Sequence, residues 1–231
     1  MSGTLFVVAT PIGNLQDITL RAIETLKSVD MIACEDTRHS GILLAAHGIT
    51  TPTTSYHSHT SESKSSRLID ALKEGRSIAL ISDAGLPGIS DPGWPLVRAT
   101  IDAGIAVTVV PGASASLAAL VLSGFPTDRF IFEGFLPIKP GARRTRLALL
   151  KEEERSTVVY ESPYRILKLL GEIEEVLGDI RVSVSRELTK KFEETRRGTA
   201  SQLREHFEKH SPRGEFVVVI PPVRERSSDE H

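Results

Sequence analysis

The stretch SIALISDAGLPGISDPG, residues 77–93, joins a β-branched apolar run to a loop, Ser82 to Gly93, with three glycines, two prolines and two aspartates in twelve residues. A short apolar run bounded by turn signals reads as a buried strand. The loop after it is stiff and poor in side chains. Glycines permit positive φ and close approach of backbone to a ligand, and prolines fix φ and reduce the entropy lost on ordering. Asp91 before Pro92 reads as the N-cap of the next helix, with proline at its first position. That explains Asp91 to Gly93. It leaves Asp83 to Gly88 to be read as a ligand-facing loop at the carboxyl end of a strand.

The same strand-then-loop unit recurs on both sides. TLFVVA (4–9), MIAC (31–34) and AVTVVP (106–111) alternate with helical patterns at Asp17 to Ser28, Ser61 to Glu74 and Pro92 to Ala103. This rhythm predicts βαβ units and a mostly parallel sheet. After a small-residue helix, Ala113 to Ser123, prolines and glycines crowd together and strand follows strand: RFIFEGF, STVVYES, DIRVSVSREL, its hairpin partner FEETRRGT, and EFVVVI. Helices are expected at Pro163 to Leu177 and around Ser201 to Lys209, and the sheet is expected to be mixed. The predicted fold is α/β with two α/β domains: 1–122 carrying the cofactor loops, a connection at 123–128, a second domain at 129–221 and a charged tail at 222–231.

Composition is that of a globular protein, with 40% apolar and 25% charged residues in 231. No apolar run reaches about 18 residues, and no basic region with an apolar stretch opens the chain, so a soluble, cytoplasmic protein with no membrane partner is expected. Cys34 is alone and can form neither an internal disulfide nor a zinc site; at the end of an apolar strand it reads as a core residue. His39, His47, His206 and His210 lack metal-ligand spacing, and no metal is expected. A net charge of -2 argues against wrapping long nucleic acid. Two local basic patches remain, Lys139 to Arg146 and Lys190, Lys191, Arg196 and Arg197, each of which is a solvated loop or strand edge unless it meets RNA.

The loops after the strands of the first half are TPIGNL, EDTRHS, SDAGLPGISDPG and VPGASAS. The first holds only Gly13, where a dinucleotide fingerprint needs three glycines, and no G-x-x-x-x-G-K-[ST] loop occurs. A ligand that touches glycine-lined backbone without a diphosphate fits better. In VPGASAS, Gly112 and the small residues Ala113, Ser114 and Ala115 open a helix whose start can face such a ligand.

ATPIGNLQDITLRA, CEDTRHS, SDAGLPGISDPG, VPGASA, YESPYRI, RELTKKFEE and RGEFVVVI, in this order, resemble the class III, tetrapyrrole-methylase-like S-adenosylmethionine methyltransferases. The resemblance spans Leu5 to Ile220 and implies two α/β domains with S-adenosylmethionine folded into the cleft between them, and a homodimer. It implies cofactor contacts from Pro11, from Asp83, Leu86 and Gly88, from Ser114 and Ala115, and from Tyr160, Leu188 and Glu215. Within the family the motifs look closest to the branch that methylates a cytidine ribose 2′-hydroxyl in the decoding region of 16S rRNA, which makes the small ribosomal subunit the expected partner. The chain departs from that branch at Ala113, at SYHSHTSES with His57 and His59, and at its end, eleven residues after Ile220, where relatives continue. Weaker RNA binding is expected from the last of these.

Methyl transfer from a sulfonium to an alcohol is an in-line displacement that needs the oxygen held in place and its proton removed. Glu35 and Arg38 at the end of the second strand, and Glu187 and Lys190 in RELTKK, are the catalytic candidates, with Arg186 beside them. Each pair could equally be a partly exposed ion pair. Arg143, Arg144 and Arg146, with Lys191, are the candidate RNA contacts, placed to track phosphates without reading bases. The same fold acting on a tetrapyrrole or a protein side chain, and a non-catalytic ribosome-assembly binder, are the alternatives.

Overall fold

A computed structural model describes residues 2–57 and 62–224. His59 and the tail residues 225–231 lie outside the described residues. The chain forms two compact units, Met1–Ser114 and Ala115–His231.

The first unit contains strands β1 (Thr4–Val8), β2 (Met31–Cys34), β3 (Thr53–Ser55), β4 (Ile78–Ile81) and β5 (Ala106–Val110), and helices α1 (Leu20–Ser28), α2 (Thr37–Ala46), α3 (Glu62–Lys73) and α4 (Trp94–Asp102). The five strands are parallel and run in the order β3-β2-β4-β1-β5. Register is set by apolar matches such as Leu5 with Ile78 and Val107. Helices cover both faces, so β4 is buried at every residue and reads as a continuous apolar run. One face packs Val8, Leu26, Ile32, Cys34 and Ile81; the other packs Leu5, Ala33, Leu72, Leu80 and Leu96. From neighbouring β1 and β4 the chain leaves in opposite directions, to β2 and to β5, which is the arrangement that opens a crevice beyond the carboxyl ends.

The second unit contains α5 (Ala115–Ser123), β6 (Phe130–Phe135), α6 (Pro140–Leu149), β7 (Ser156–Glu161), α7 (Ile166–Leu177), β8 (Arg181–Arg186), β9 (Glu194–Thr199), α8 (Ala200–Lys209) and β10 (Phe216–Ile220). Its sheet runs β6-β7-β10-β8-β9, with β6 and β7 parallel and the remaining pairs antiparallel. The central β10 is wholly buried, and Val218 and Ile220 join Val159, Leu169, Val184, Leu203 and Phe207 in the core. α8 starts on a capping box in which Thr199 and Gln202 satisfy each other's backbone amides.

Several expectations are corrected. The units meet at Ser114 and Ala115, not after residue 122, because α5 buries Ser116, Ala119 and Leu120 and Arg197 of β9 donates to the carbonyls of Leu122 and Ser123 (Nε to O, 2.8 and 3.2 Å). α4 begins at Trp94 with Gly93 as its cap, not at Asp91 and Pro92. Ser90 turns the chain at φ 63°, and Pro95 then occupies the early position where a missing N–H costs nothing. KPGARRTR is neither a loop nor a strand edge; it lies largely in helix α6. EDTRHS is only briefly a loop, since the Asp36 carboxylate accepts from the Arg38 amide and starts α2.

Candidate functional site

Three strand-end loops of the first unit are tied together by backbone and side-chain hydrogen bonds. Thr10, after β1, and Gly85, after β4, form an isolated antiparallel bridge, with N to O distances of 2.9 and 3.1 Å. The Thr10 hydroxyl donates to the Ser82 carbonyl (3.1 Å), and the Ser82 hydroxyl donates to the Gly85 carbonyl (3.3 Å). The Asp36 amide, after β2, donates to the Asp83 carboxylate at 3.4 Å. Gly85 sits at φ +79°, a conformation costly for any side-chain-bearing residue, while the Ala113 carbonyl lies 3.7 Å from where a Cβ would be. The loop 111–114 thus lies in van der Waals range of Gly85, whose positive φ, rather than crowding, favours glycine there. The amides of Leu86 and Gly88 find no acceptor among the described residues. Pro11 is buried, and Asp83, Leu86, Gly88 and Ser114 are half-buried.

Glu35 stands at the end of β2 beside this cluster. Burial, and then the charge of Asp83, push its carboxyl up from the ordinary 4.5, while His57 opposes the shift. Among the described residues it has no side-chain hydrogen bond or ion pair. Arg38 points away into solvent at 92% side-chain exposure and, among the described residues, pairs only with Asp36, at 3.4 Å. The structure therefore separates the two catalytic candidates of this loop. Cys34 is buried and its thiol is raised, mainly by burial, as suits a core residue rather than a nucleophile.

In the second unit, Tyr160, Leu188, Glu187, Lys190 and Glu215 share one end of the sheet. Tyr160, next to last in β7, stands opposite Val217 and meets Phe132 and Phe135 edge-on, at 5.0 and 5.8 Å between ring centroids. The Glu187 amide donates to the Glu215 carbonyl at 3.1 Å, and the Lys190 ammonium bridges the carboxylates of Glu187 (2.9 Å) and Glu215 (3.1 Å). Burial pulls the Lys190 ammonium down, but both carboxylates outweigh it and its pKa ends above the usual 10.5. A side chain on Gly214, at φ +81°, would collide with the Glu187 carboxylate. Glu187 and Lys190 are thereby held as an ion pair. Arg186 is spent on Glu194 at 2.7 Å. Lys191 remains at the surface, 5.6 Å from the Phe192 ring centroid.

The arginine cluster is corrected most sharply. Arg143 is 1% exposed, and its guanidinium grips Glu172 of α7 in a two-pronged pair. It cannot track phosphates. Arg144 pairs with Glu175 at 2.7 Å and Arg146 with Glu133, both keeping part of their surface in solvent.

Sequence reasoning missed three groups. Glu161 is 2% exposed, with one carboxylate oxygen on Arg165 and the Ser162 amide and the other unpartnered among the described residues. Thr10 is the knot of the loop cluster, hidden in the sequence as an ordinary strand-end threonine. A cavity of about 940 Å³ in the first unit is lined by Glu35, His57 and Trp94 among others. Its one sequence signal is a lone tryptophan at a helix start. Among the described residues, no group of three or more His, Cys, Asp or Glu is arranged for a metal ion, and no helix is long and apolar enough to cross a membrane.

Residues 4–204 match the family of tetrapyrrole (corrin/porphyrin) methylases. The chain is 52% identical over 227 residues to the ribosomal RNA small subunit methyltransferase I of Mesorhizobium japonicum, covering 97% of this chain and 77% of that one. It is 47% identical to the protein of the same name from Thermotoga maritima, covering 94% of this chain and 98% of that one. The crystal structure of uroporphyrin-III-C-methyltransferase from Thermus thermophilus superposes with a TM-score of 0.65 at 22% identity, over 96% of both chains.

Proposed function

Because the chain belongs to the tetrapyrrole (corrin/porphyrin) methylase family, we propose that it is an S-adenosylmethionine-dependent methyltransferase of small-subunit ribosomal RNA, acting on a cytidine ribose 2′-hydroxyl in the decoding region. The observation that carries this reading is near-half identity, over almost the full length, to relatives named as small subunit rRNA methyltransferases. The ribose specificity and the target region rest on motif resemblance. The proposal extends to a cytoplasmic homodimer, supported by family resemblance and by Val121 of α5, which is 71% exposed.

When bound, S-adenosylmethionine supplies a methyl group activated on a sulfonium. The first unit fits such a ligand: a glycine-lined backbone cradle at Gly85, amides at Leu86 and Gly88 that lack a described acceptor, and Asp83 beside them. Pro11, Ser114 and Ala115 complete the assignment, and that of Tyr160, Leu188 and Glu215 rests on the resemblance. Glu35 is the proton acceptor in this reading, since it is half-buried, has no described hydrogen-bond partner and is raised toward neutrality. Its carboxylate would take the proton of the substrate hydroxyl as the methyl group is transferred. The Glu187–Lys190 pair is compensated internally and by Glu215, so it is assigned no proton-accepting role. Lys191, Arg144 and Arg146 are the RNA-facing cations; Arg143 is dropped.

Incubating the protein with methyl-labelled cofactor and small-subunit particles, then mapping the label at nucleotide resolution, tests the proposal. Label is expected on one ribose. Label on a base, or only on a free tetrapyrrole, overturns it. Asp83→Ala combined with Gly88→Val is expected to abolish cofactor binding by calorimetry; wild-type affinity in that variant would reject the pocket assignment.

A further inference from the structure

The cavity of about 940 Å³ in the first unit counts Glu35 in its lining but neither Thr10 nor Gly85 of the bridge. Its walls come from the ends of β2 and β3, with Glu35 and His57, from one face of α3, with Asp70 and Lys73, and from the entry to α4, with Asp91 and Trp94. Its volume is at the upper end for small-ligand sites. Trp94 is the chain's single tryptophan and is 68% exposed at its rim. A ring of that size left in water forgoes hydrophobic stabilisation that burial in the adjacent core would give. At the edge of a cavity with both apolar and polar walls it is an exposed stacking face.

The polar lining sets carboxylates, Glu35 and Asp70, beside donors, Lys73 and the hydroxyls of Ser65, Ser66 and Ser90. The carboxylates of Glu35 and Asp70, where ionised, can only accept hydrogen bonds, so they suit a ligand that donates. Lys73 brings a cation to the same wall. A flat ring, an exocyclic amino group and a nearby phosphate together describe a nucleotide. RNA-binding proteins read single-stranded bases by stacking them on aromatic side chains and bonding their exposed edges, and carboxylates accept from the cytosine amino group.

We infer that this cavity receives a splayed-out nucleobase of the RNA substrate, stacked on Trp94, and that its carboxylates select bases with an exocyclic amino group, cytosine among them, over uracil. The inference rests on the rRNA methyltransferase reading and adds to it a base-selecting pocket. Glu35 belongs to both places. Seating the base beside it brings the attached ribose to the strand ends where Asp83 and Gly85 lie. Lys73 holds a flanking phosphate, which positions the strand and adds salt dependence without sequence preference.

The single tryptophan makes the test direct. Fluorescence of the intact chain, excited where tyrosine is silent, is titrated with short single-stranded oligocytidylate and oligouridylate. Saturable quenching is expected with oligocytidylate, at roughly tenfold lower concentration than with oligouridylate. In parallel, Trp94→Ala is expected to raise KM for small-subunit particles about tenfold while leaving kcat within about twofold, and Trp94→Phe, which keeps a stacking face, is expected to restore KM. Equal response to both oligonucleotides, no response, or an unchanged KM in Trp94→Ala overturns the inference. The fluorescence titration decides the cavity even if the protein methylates no particle, so failure of the pocket and failure of the methyltransferase reading are told apart.

Discussion

The two units of this chain use polar residues in opposite ways. In the first, backbone groups join the strand-end loops through Thr10, Ser82 and Gly85, and the carboxylate beside them, Glu35, has no described partner. In the second, charge is bound to charge: Arg143 with Glu172, Arg146 with Glu133, Arg165 with Glu161, Arg186 with Glu194, and Lys190 with Glu187 and Glu215. The difference teaches that charged residues in a sequence are weak pointers to function when a fold can pair them internally. A carboxylate left half-buried and unpaired by a rigid backbone frame is a stronger one.

The largest expected effect separates the units by removing one carboxylate from each. Glu172→Gln leaves the Arg143 guanidinium buried without its hydrogen-bonded counter-charge and is expected to cost about 3–5 kcal/mol in chemical denaturation, with cofactor affinity unchanged in the folded fraction. Replacing both partners, with Arg143→Met and Glu172→Leu, is expected to restore most of that stability. Glu35→Gln is expected to do the reverse. A carboxyl raised in the folded state gives full stability only when protonated and loses it as pH rises through the raised value, so the neutral glutamine is stabilising or indifferent near neutrality. Methyl transfer by Glu35→Gln is expected to fall about 10²–10⁴-fold. Equal loss of stability in the two variants would break the contrast.

The contrast also marks what could be read in advance. The parallel sheet was legible because β1, β2, β4 and β5 are β-branched runs ended by glycine, proline or aspartate, and the loop Ser82 to Gly93 declared itself through residues whose φ is special. β3 was not legible: Thr53–Ser55 is three polar residues at a sheet edge, with no periodicity to show. α6 was misread because its arginines stand where a solvated patch would put them; the Glu172 that neutralises Arg143 lies 29 positions away, on another helix. Glu35 was legible as a strand-end carboxylate, but its isolation from Arg38 depends on Asp36 capping α2. Trp94 was overlooked because exposure is a property of the packed molecule.

A smaller effect sharpens the comparison at two glycines with nearly equal dihedrals. Gly85 and Gly214 have φ of +79° and +81°. An added Cβ at Gly85 meets only the Ile12 side chain and the Ala113 carbonyl at ordinary contact distance, whereas at Gly214 it collides with the Glu187 carboxylate that holds Lys190. Gly85→Ala is expected to pay for strain alone, about 1 kcal/mol, and Gly214→Ala about 1–3 kcal/mol with loss of the Glu187–Lys190 pair. Denaturation midpoints of the two variants, with the Lys190 ammonium followed by NMR, check this. A larger loss at Gly85 would mean that the backbone frame of the first unit is the tighter of the two.

The smallest effect lies in the pH response of the second unit's charge network. Glu194 accepts from Arg186 and Arg196 and contacts His206 of α8 at 3.0 Å, and the His206 ring stacks on His210 at 4.5 Å between centroids. Burial holds the His206 pKa below the ordinary 6.5, helped by the charge of Arg196, and outweighs the opposing pull of Glu194. The unfolded chain therefore binds a proton that the folded unit resists, so stability falls as pH drops below about 6.5. His206→Gln is expected to flatten this part of the pH–stability curve between about pH 7 and pH 5 while leaving the remainder in place. A curve unchanged by the substitution would mean that the arginines leave no net penalty on the imidazolium. A decline that reversed, with the wild type gaining stability on acidification, would show Glu194 to be the dominant neighbour, and the network would then act as an acid-strengthened clasp between β9 and α8.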